Sequence, residues 1–531
     1  MHEAKSSGKP VEVSALTDER TLVTADPATG RFTADMTATV ARVRDVKGGW
    51  REPSTKLVAG EDGLLRPEAT VAQIAVSAGG SKAPLVSFAD GESRVEIGWP
   101  TQLPAPVVEN ATATYPEVFP GVDLVVRAEI ESAETYLVVK TPEAGKNVKV
   151  RNAAFTLSSP GLTAKPLSNG TRSLQDAKGV ERLVLPPARM WDSAGAEKGL
   201  TRAEDRIAEA LDAKSGEVGL QVADGKLTAV ADTAFLDDPD TVFPVIIDPA
   251  VTTTRTYVVR VTEDFDTIND MTVPGKIGYN GWTSPYYKSR MFYQFRWPLY
   301  DGTMIAPEQI VSSKLEYVQI HSPQHDCSDH DFGPATKVEF TNTIDSNTTW
   351  AGPAVHPNIG SVSNDYSVGH EDTCSARYRQ VFDVTAMSKN ERTNYSTRTT
   401  VTTRVASTDE SDKNGWRHYD NASGTYASPR LIVDYQQAPL APTNVKAWPL
   451  TTGGKVLSPV PLLSGTMRLP AGDSCPALTP NCLVPIFTVT NTATSAVVQT
   501  GQGDPVAPDA TGHVQLTTAL ANNTSYRLDL Q

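Results

Sequence analysis

The sequence predicts an all-β protein built from several β-sandwich domains in tandem. Three observations carry that prediction. Short alternating apolar–polar runs recur along the 531 residues, bounded by Gly, Pro, Asp and Asn turns. The length exceeds what one core serves, so three or four domains are expected. Only one stretch, Arg202–Ala213, has helix formers with Ile207 and Leu211 at i,i+4 spacing, and it reads as a short excursion between strands.

Residues 1–30 are polar and rich in Thr, Ser, Ala and Pro, and are expected to form a loose arm. Residues 31–250 read as an N-terminal β-sandwich region of one or two domains. Its strands include Met36–Arg44, Arg94–Trp99, Val122–Arg127 and Tyr136–Lys140, and Phe243–Pro249 closes it at an Asp-Pro break. Residues 251–435 form the next module. Between Arg255 and Tyr435 fall 13 of the 16 tyrosines, four of the eight tryptophans and six of the eight histidines. Arg290–Trp297, Ser313–His321, Thr399–Val405 and Arg430–Tyr435 alternate like strands there. Residues 436–443 are a proline-spaced linker, and 444–531 alternate weakly and carry the second cysteine pair. The final segment, Asn522–Gln531, stops in mid-strand, so the polypeptide is expected to be a fragment.

Composition narrows the function. A net charge of −14 and a pI near 5.1, with no basic stripe, argue against a nucleic-acid partner. No run of about eighteen apolar residues marks a membrane span, and the N-terminus lacks the apolar core of a signal peptide. The four cysteines fall as Cys327 with Cys374 and Cys475 with Cys482. An even count suits two disulfides in an oxidising compartment, against the alternative of buried free thiols in a cytosolic chain. Together with the β-rich composition this reads as a mature secreted or cell-wall-associated protein.

Several motifs resemble a known family. Tyr115–Leu124, Leu137–Pro142, Pro186–Asp192 and Phe243–Pro249 resemble the N-terminal region of large secreted actinobacterial surface proteins. In that family such β regions precede LamG-like domains or RHS/YD-repeat, polymorphic-toxin-like regions. The next module is similar to the DNRLRE domain, a relative of carbohydrate-binding jelly rolls. The matching residues are Arg290–Phe295, Ser313–Tyr317, Asn347–Trp350, Val381–Val384, Gly415–Arg417 and Ser428–Tyr435. The likeness spans most of residues 20–437. It implies a jelly roll over 251–435, while the last segment resembles an Ig- or fibronectin-III-like domain cut short. Within these 531 residues there is no LamG, YD-repeat or toxin sequence, and the family supplies no catalytic residues to carry over.

For chemistry, the chain holds no Gly-x-Ser-x-Gly, His-Glu-x-x-His, Walker-type or dinucleotide motif, so no enzymatic activity is expected. His325–Asp331 with His370–Asp372 is a candidate metal cluster if Cys327 and Cys374 bond. A polar loop around a disulfide is the favoured reading, because His-x4-His matches no standard ligand spacing. Glu263–Asp270 reads first as an acidic turn between strands, with no cofactor; the alternative is a structural calcium ion on Asp264, Asp266 and Asp270, in a loop that lacks the central Gly and terminal Glu of an EF-hand.

Aromatics remain. Sugar rings stack their C–H faces on flat Trp and Tyr while hydroxyls bond polar neighbours. Trp282, Tyr286 and Tyr287 sit in a Gly/Asn/Ser/Pro-rich stretch, and Trp416, Arg417 and Tyr419 follow the loop-like Asp409–Gly415. These two groups are the candidate carbohydrate contacts, and Trp297, Trp350, Phe292 and Phe295 are expected core. The expected task is non-catalytic binding of cell-wall or extracellular polysaccharide, presenting downstream domains of the same polypeptide. The alternative is a structural segment of a toxin-delivery polypeptide that binds no sugar.

Overall fold

Phe292, Phe295 and Trp297 are buried to within 1% of full enclosure, and around two of them, Phe295 and Trp297, the central core assembles. The computed structural model describes residues 1–530 except 46–47, 81–83, 169, 197–201, 211–212, 249, 254–256, 264–274, 283–285, 301, 375–376, 421–427, 438, 452, 470–474 and 476–480, with backbone only for 250–253. Strands make up 49% and helices 9%, so the class is all-β with several sandwich units.

The central unit is an antiparallel sandwich. One side runs Val11–Glu12, Thr21–Asp26, Arg31–Thr37, Arg430–Tyr435, Ile310–His321 and Arg417–Asp420. The other runs Tyr287–Arg296, Thr400–Ser407, Thr336–Thr341 and Ser361–Asn364. Alternation puts Phe32, Leu315, Tyr317, Leu431 and Val433 on one inner face, against Tyr293, Phe295, Val338, Phe340 and Val401 on the other. Gly275–Asn280 joins the two sides. Its first half pairs with Arg417–Tyr419 and its second half with Tyr287–Ser289. The strand changes partner at Gly278, where φ is +87° and a Cβ would lie 2.3 Å from the Gly415 carbonyl oxygen, so glycine is required.

The arm expected over 1–30 is ordered instead. A helix spans His2–Ser7 and buries Ala4, and Thr21–Asp26 pairs along its whole length with Arg31–Thr37. Arg31–Thr37 then pairs with Arg430–Tyr435, placing Phe32 opposite Tyr435 and Met36 opposite Leu431. Arg430 forms a bidentate ion pair with Asp35, and Thr33 Oγ1 donates to Asp434 at 2.7 Å. A boundary at residue 30 therefore falls inside one hairpin, and the central unit needs residues 11–37 as well as 258–435.

Residues 54–253 are inserted between those two parts. Their antiparallel strands close on themselves around one core that includes Tyr115, Leu124, Leu137, Phe155 and Ile247. The expected helix is shorter than 202–213: it spans Ala203–Ile207, buries Ile207, and Leu211 lies outside the described residues. Glu181 accepts from Ser346 Oγ at 2.9 Å, and Arg20 pairs with Glu131, tying the insert to the central unit.

The third unit has two three-stranded sheets around Leu463, Phe487, Val489, Val514 and Leu516. Its first strand, Leu440–Trp448, begins inside the stretch expected to be linker. It is an edge strand, which accommodates Pro442. Trp350, expected in the core, is half-buried with the Arg290 guanidinium 3.8 Å from its ring centroid.

Candidate functional site

A pocket of about 200 Å³ opens on the central unit, and its wall combines aromatic rings with four histidines. His321 is the last residue of the Ile310–His321 strand. The register against Arg417–Asp420 slips by one residue between Gln319 and His321, so His321 stands opposite His418. Such a bulge re-aims a side chain, and here the two imidazoles stack with centroids 4.4 Å apart. His418 lies on a strand paired on both sides, with Arg417, His418, Tyr419 and Asp420 all buried.

The loop bearing His370 and Glu371 is anchored by the Cys327–Cys374 disulfide. His370 N donates to Gln324 O at 2.5 Å, and its ring lies 4.6 Å from His321 and 4.5 Å from His325. Glu371 opens the helical turn Glu371–Cys374, with Oε1 3.6 Å from His321 Nδ1. Trp416 stands edge-on to both Tyr287 and His418. Trp282 is at the mouth, 48% exposed, its Nε1 donating to Lys413 O at 3.0 Å and its ring covered on one face by Lys413 Nζ.

Burial is the leading cause of every shift at the floor. It pushes the His321 imidazole down to about 3, with His370 and Arg417 adding to the effect. It holds His418 well below its ordinary value, helped by His321 and Lys276, and it raises the Glu371 carboxyl, with Asp372 adding. The floor imidazoles are neutral near pH 7. Among the described residues neither ring nitrogen of His418 has a hydrogen-bond partner, and Glu371 Oε1 has none. Leaving a buried polar atom unpaired costs about 1–3 kcal/mol. Ligand atoms of His321, Glu371 and His418 lie within 4.8 Å of one another, so these three side chains form a potential cation-binding group.

The predicted aromatic contacts divide. Trp282 and Tyr286 are exposed, at 48% and 57%, and Tyr287 is half-buried in the pocket wall. Trp416, Arg417 and Tyr419 are not surface contacts. They are 6%, 1% and 1% exposed, because the loop-like stretch ends in the 3₁₀ turn Lys413–Gly415 and the chain re-enters the sheet at once. Trp416 still lines the pocket, whereas Arg417 donates to the Asn414, Trp416 and Phe332 carbonyls, and the Tyr419 hydroxyl meets Thr336 and Gln380.

The calcium ligands Asp264, Asp266 and Asp270 lie outside the described residues. Both disulfides form, Cys327 with Cys374 and Cys475 with Cys482. The disulfide does bring His325 to His370, but His330 turns away to stack on Tyr366, and Asp372 is exposed. Their places are taken by His321 and His418, which sequence reasoning missed. The available signal was a histidine ending an apolar strand at 321 and the unalternating run Trp416–Tyr419.

No protein-family model matches the chain, and no curated protein matches it. Among solved structures, the β-glucuronidase of Parabacteroides merdae is similar over 45% of this chain and 28% of that chain, at 10% identity and a TM-score of 0.12. A β-porphyranase of glycoside hydrolase family 86 from Bacteroides plebeius is similar over 63% and 40% of the two chains, at 7% identity and a TM-score of 0.14. A Paenibacillus xanthan lyase is similar over 97% and 56%, at 9% identity and a TM-score of 0.11. Likeness at these TM-scores carries no argument about function.

Proposed function

We propose that this is a secreted or cell-wall-associated, non-catalytic polysaccharide-binding protein, with the glycan seated on Trp282 and Tyr286 at the pocket mouth. The observation that supports it is the exposure of both rings beside a pocket walled by Tyr287 and Trp416. Large aromatics bury strongly when no partner awaits them. Trp282 is held in place by Lys413 on one face. The rest of the ring is available to the C–H face of a sugar, and the Lys413 ammonium is near enough to meet a hydroxyl or a carboxylate. Two disulfides agree with an oxidising compartment, and among the described residues no helix is long and apolar enough to cross a membrane.

Retention of the full chain on insoluble polysaccharides and on a glycan array tests the reading against Trp282→Ala and Tyr286→Ala. Both side chains are exposed, so folding is retained. Loss of one stacking ring is expected to weaken binding about tenfold, the equivalent of ~1.4 kcal/mol. Equal retention by wild type and both variants would remove the site and leave the structural or delivery role.

A further inference from the structure

We propose that His321, His418 and Glu371 bind one divalent transition-metal ion of the zinc class, with an open coordination position facing the pocket. This goes beyond the sugar-binding reading and does not rest on it, since none of the three ligands belongs to the exposed rim.

The geometry comes first. A tetrahedral ion with bonds of ~2.0–2.1 Å needs ligand atoms roughly 3.3 Å apart. His321 Nδ1, which accepts a long hydrogen bond from Glu371 N at 3.5 Å, lies 3.6 Å from Glu371 Oε1, and the whole set lies within 4.8 Å, so closure requires side-chain shifts totalling roughly 1.5 Å. The second observation is independent. His418 is 1% exposed, yet neither of its nitrogens is paired among the described residues, and the same holds for Glu371 Oε1. One nitrogen of the His418 ring can face the ion together with Glu371 Oε1, and a buried imidazole and a carboxylate oxygen left unsatisfied near each other is what a missing partner leaves behind.

The surroundings select the ion. Lys276 and Arg260 lie close enough to act on His418 electrostatically, and both are buried. Their charge penalises ions held mainly by electrostatics on oxygen, such as calcium. Ions that bond strongly to neutral nitrogen tolerate it, and two imidazoles with one carboxylate is a donor set that suits zinc. The same cations favour an anionic group in the open position. Each ligand is also held by a rigid element: His418 on an inner strand, His321 at the bulge, and Glu371 on the turn ended by Cys374 of the disulfide.

The test uses the full chain with its disulfides intact, stripped with chelator and titrated with Zn²⁺ or Co²⁺ alone. One equivalent is expected to bind, with a visible absorption band for Co²⁺, and excess Ca²⁺ should not displace it. Glu371→Gln keeps the fold, because the side chain is one-third exposed, and should weaken uptake about tenfold or more. His418→Asn should abolish it, with melting of the stripped variant confirming folding; if that variant does not fold, Glu371→Gln decides alone. Absence of stoichiometric uptake, displacement by Ca²⁺, or uptake that Glu371→Gln leaves intact overturns the site.

Discussion

His356 and Glu391 form a buried pair whose proton can be followed through stability. His356 Nδ1 and Glu391 Oε2 are 2.7 Å apart, at 3% and 1% exposure, with Tyr395 stacked on the imidazole. Burial is the leading cause on both sides. It raises the Glu391 carboxyl to about 7, against the pull of Arg398 and Arg392, and lowers the His356 imidazole to about 4. Between the ordinary values of 4.5 and 6.5 the folded pair therefore keeps one proton, on the carboxyl. The unfolded chain also keeps one there, on the imidazole, so the pair contributes no slope of stability with pH.

Glu391→Gln breaks that balance while its amide still donates to Nδ1. The folded variant then holds no proton on the pair, while the unfolded chain gains one as pH falls through 6.5. Stability of the variant should fall relative to wild type by ~1.4 kcal/mol per pH unit, about 2 kcal/mol by pH 5. Urea unfolding of both proteins in chelator at neutral pH and at pH near 5 reads the difference, because every other titrating group is shared. Parallel pH profiles would refute the retained proton.

Three further outcomes are expected. Arg417→Met, which strips the carbonyls of Asn414, Trp416 and Phe332 of their donor from the buried guanidinium, should cost about 2–4 kcal/mol in denaturant unfolding, and an unchanged midpoint would contradict the stapling role. Phe32→Ala should cost about 3–5 kcal/mol in the same assay, because the ring is 4% exposed and stacks on Tyr435; a loose N-terminal arm would show no effect. Replacing Cys327 and Cys374 together by serine should lower stability by up to about 4 kcal/mol and lower the melting temperature, the cost of opening a loop of 47-residue separation.

Where a strand alternates and both faces are ordinary, the sequence can be read directly. Arg290–Trp297 places Phe292, Phe295 and Trp297 in cores as expected, and Arg430–Tyr435 does the same for Leu431, Val433 and Tyr435. Thr21–Asp26 alternates too, but its buried face is only Thr21, Val23 and Ala25, and the strand that covers its hairpin lies some 400 residues away in sequence. No local pattern reports a partner that distant. Trp416–Tyr419 fails for another reason. A strand flanked on both sides, at the seam between two sheets, buries every residue whatever its polarity, so polar side chains misleadingly suggested a loop. His321 and His418 meet only because of a one-residue bulge, and a bulge leaves no trace in hydrophobic periodicity.

The rim and floor of the pocket are not independent, because one short turn serves both. Lys413–Gly415 is held by the Asp412 side chain, which accepts from Asn414 N at 2.9 Å. From that turn Lys413 O and Nζ hold Trp282, and directly after it come Trp416 and His418. Gly415 in turn lies against Gly278, at the point where the joining strand leaves one sheet for the other. The seam of the sandwich therefore sets the spacing between the exposed ring and the buried imidazoles. A ligand on Trp282 and an ion on His418 would share the same backbone support, since Lys413 and His418 are five residues apart in the chain. That arrangement explains why the strand carrying Arg417 is so heavily braced: its carbonyl staples keep the turn, and with it both halves of the pocket, in a single geometry.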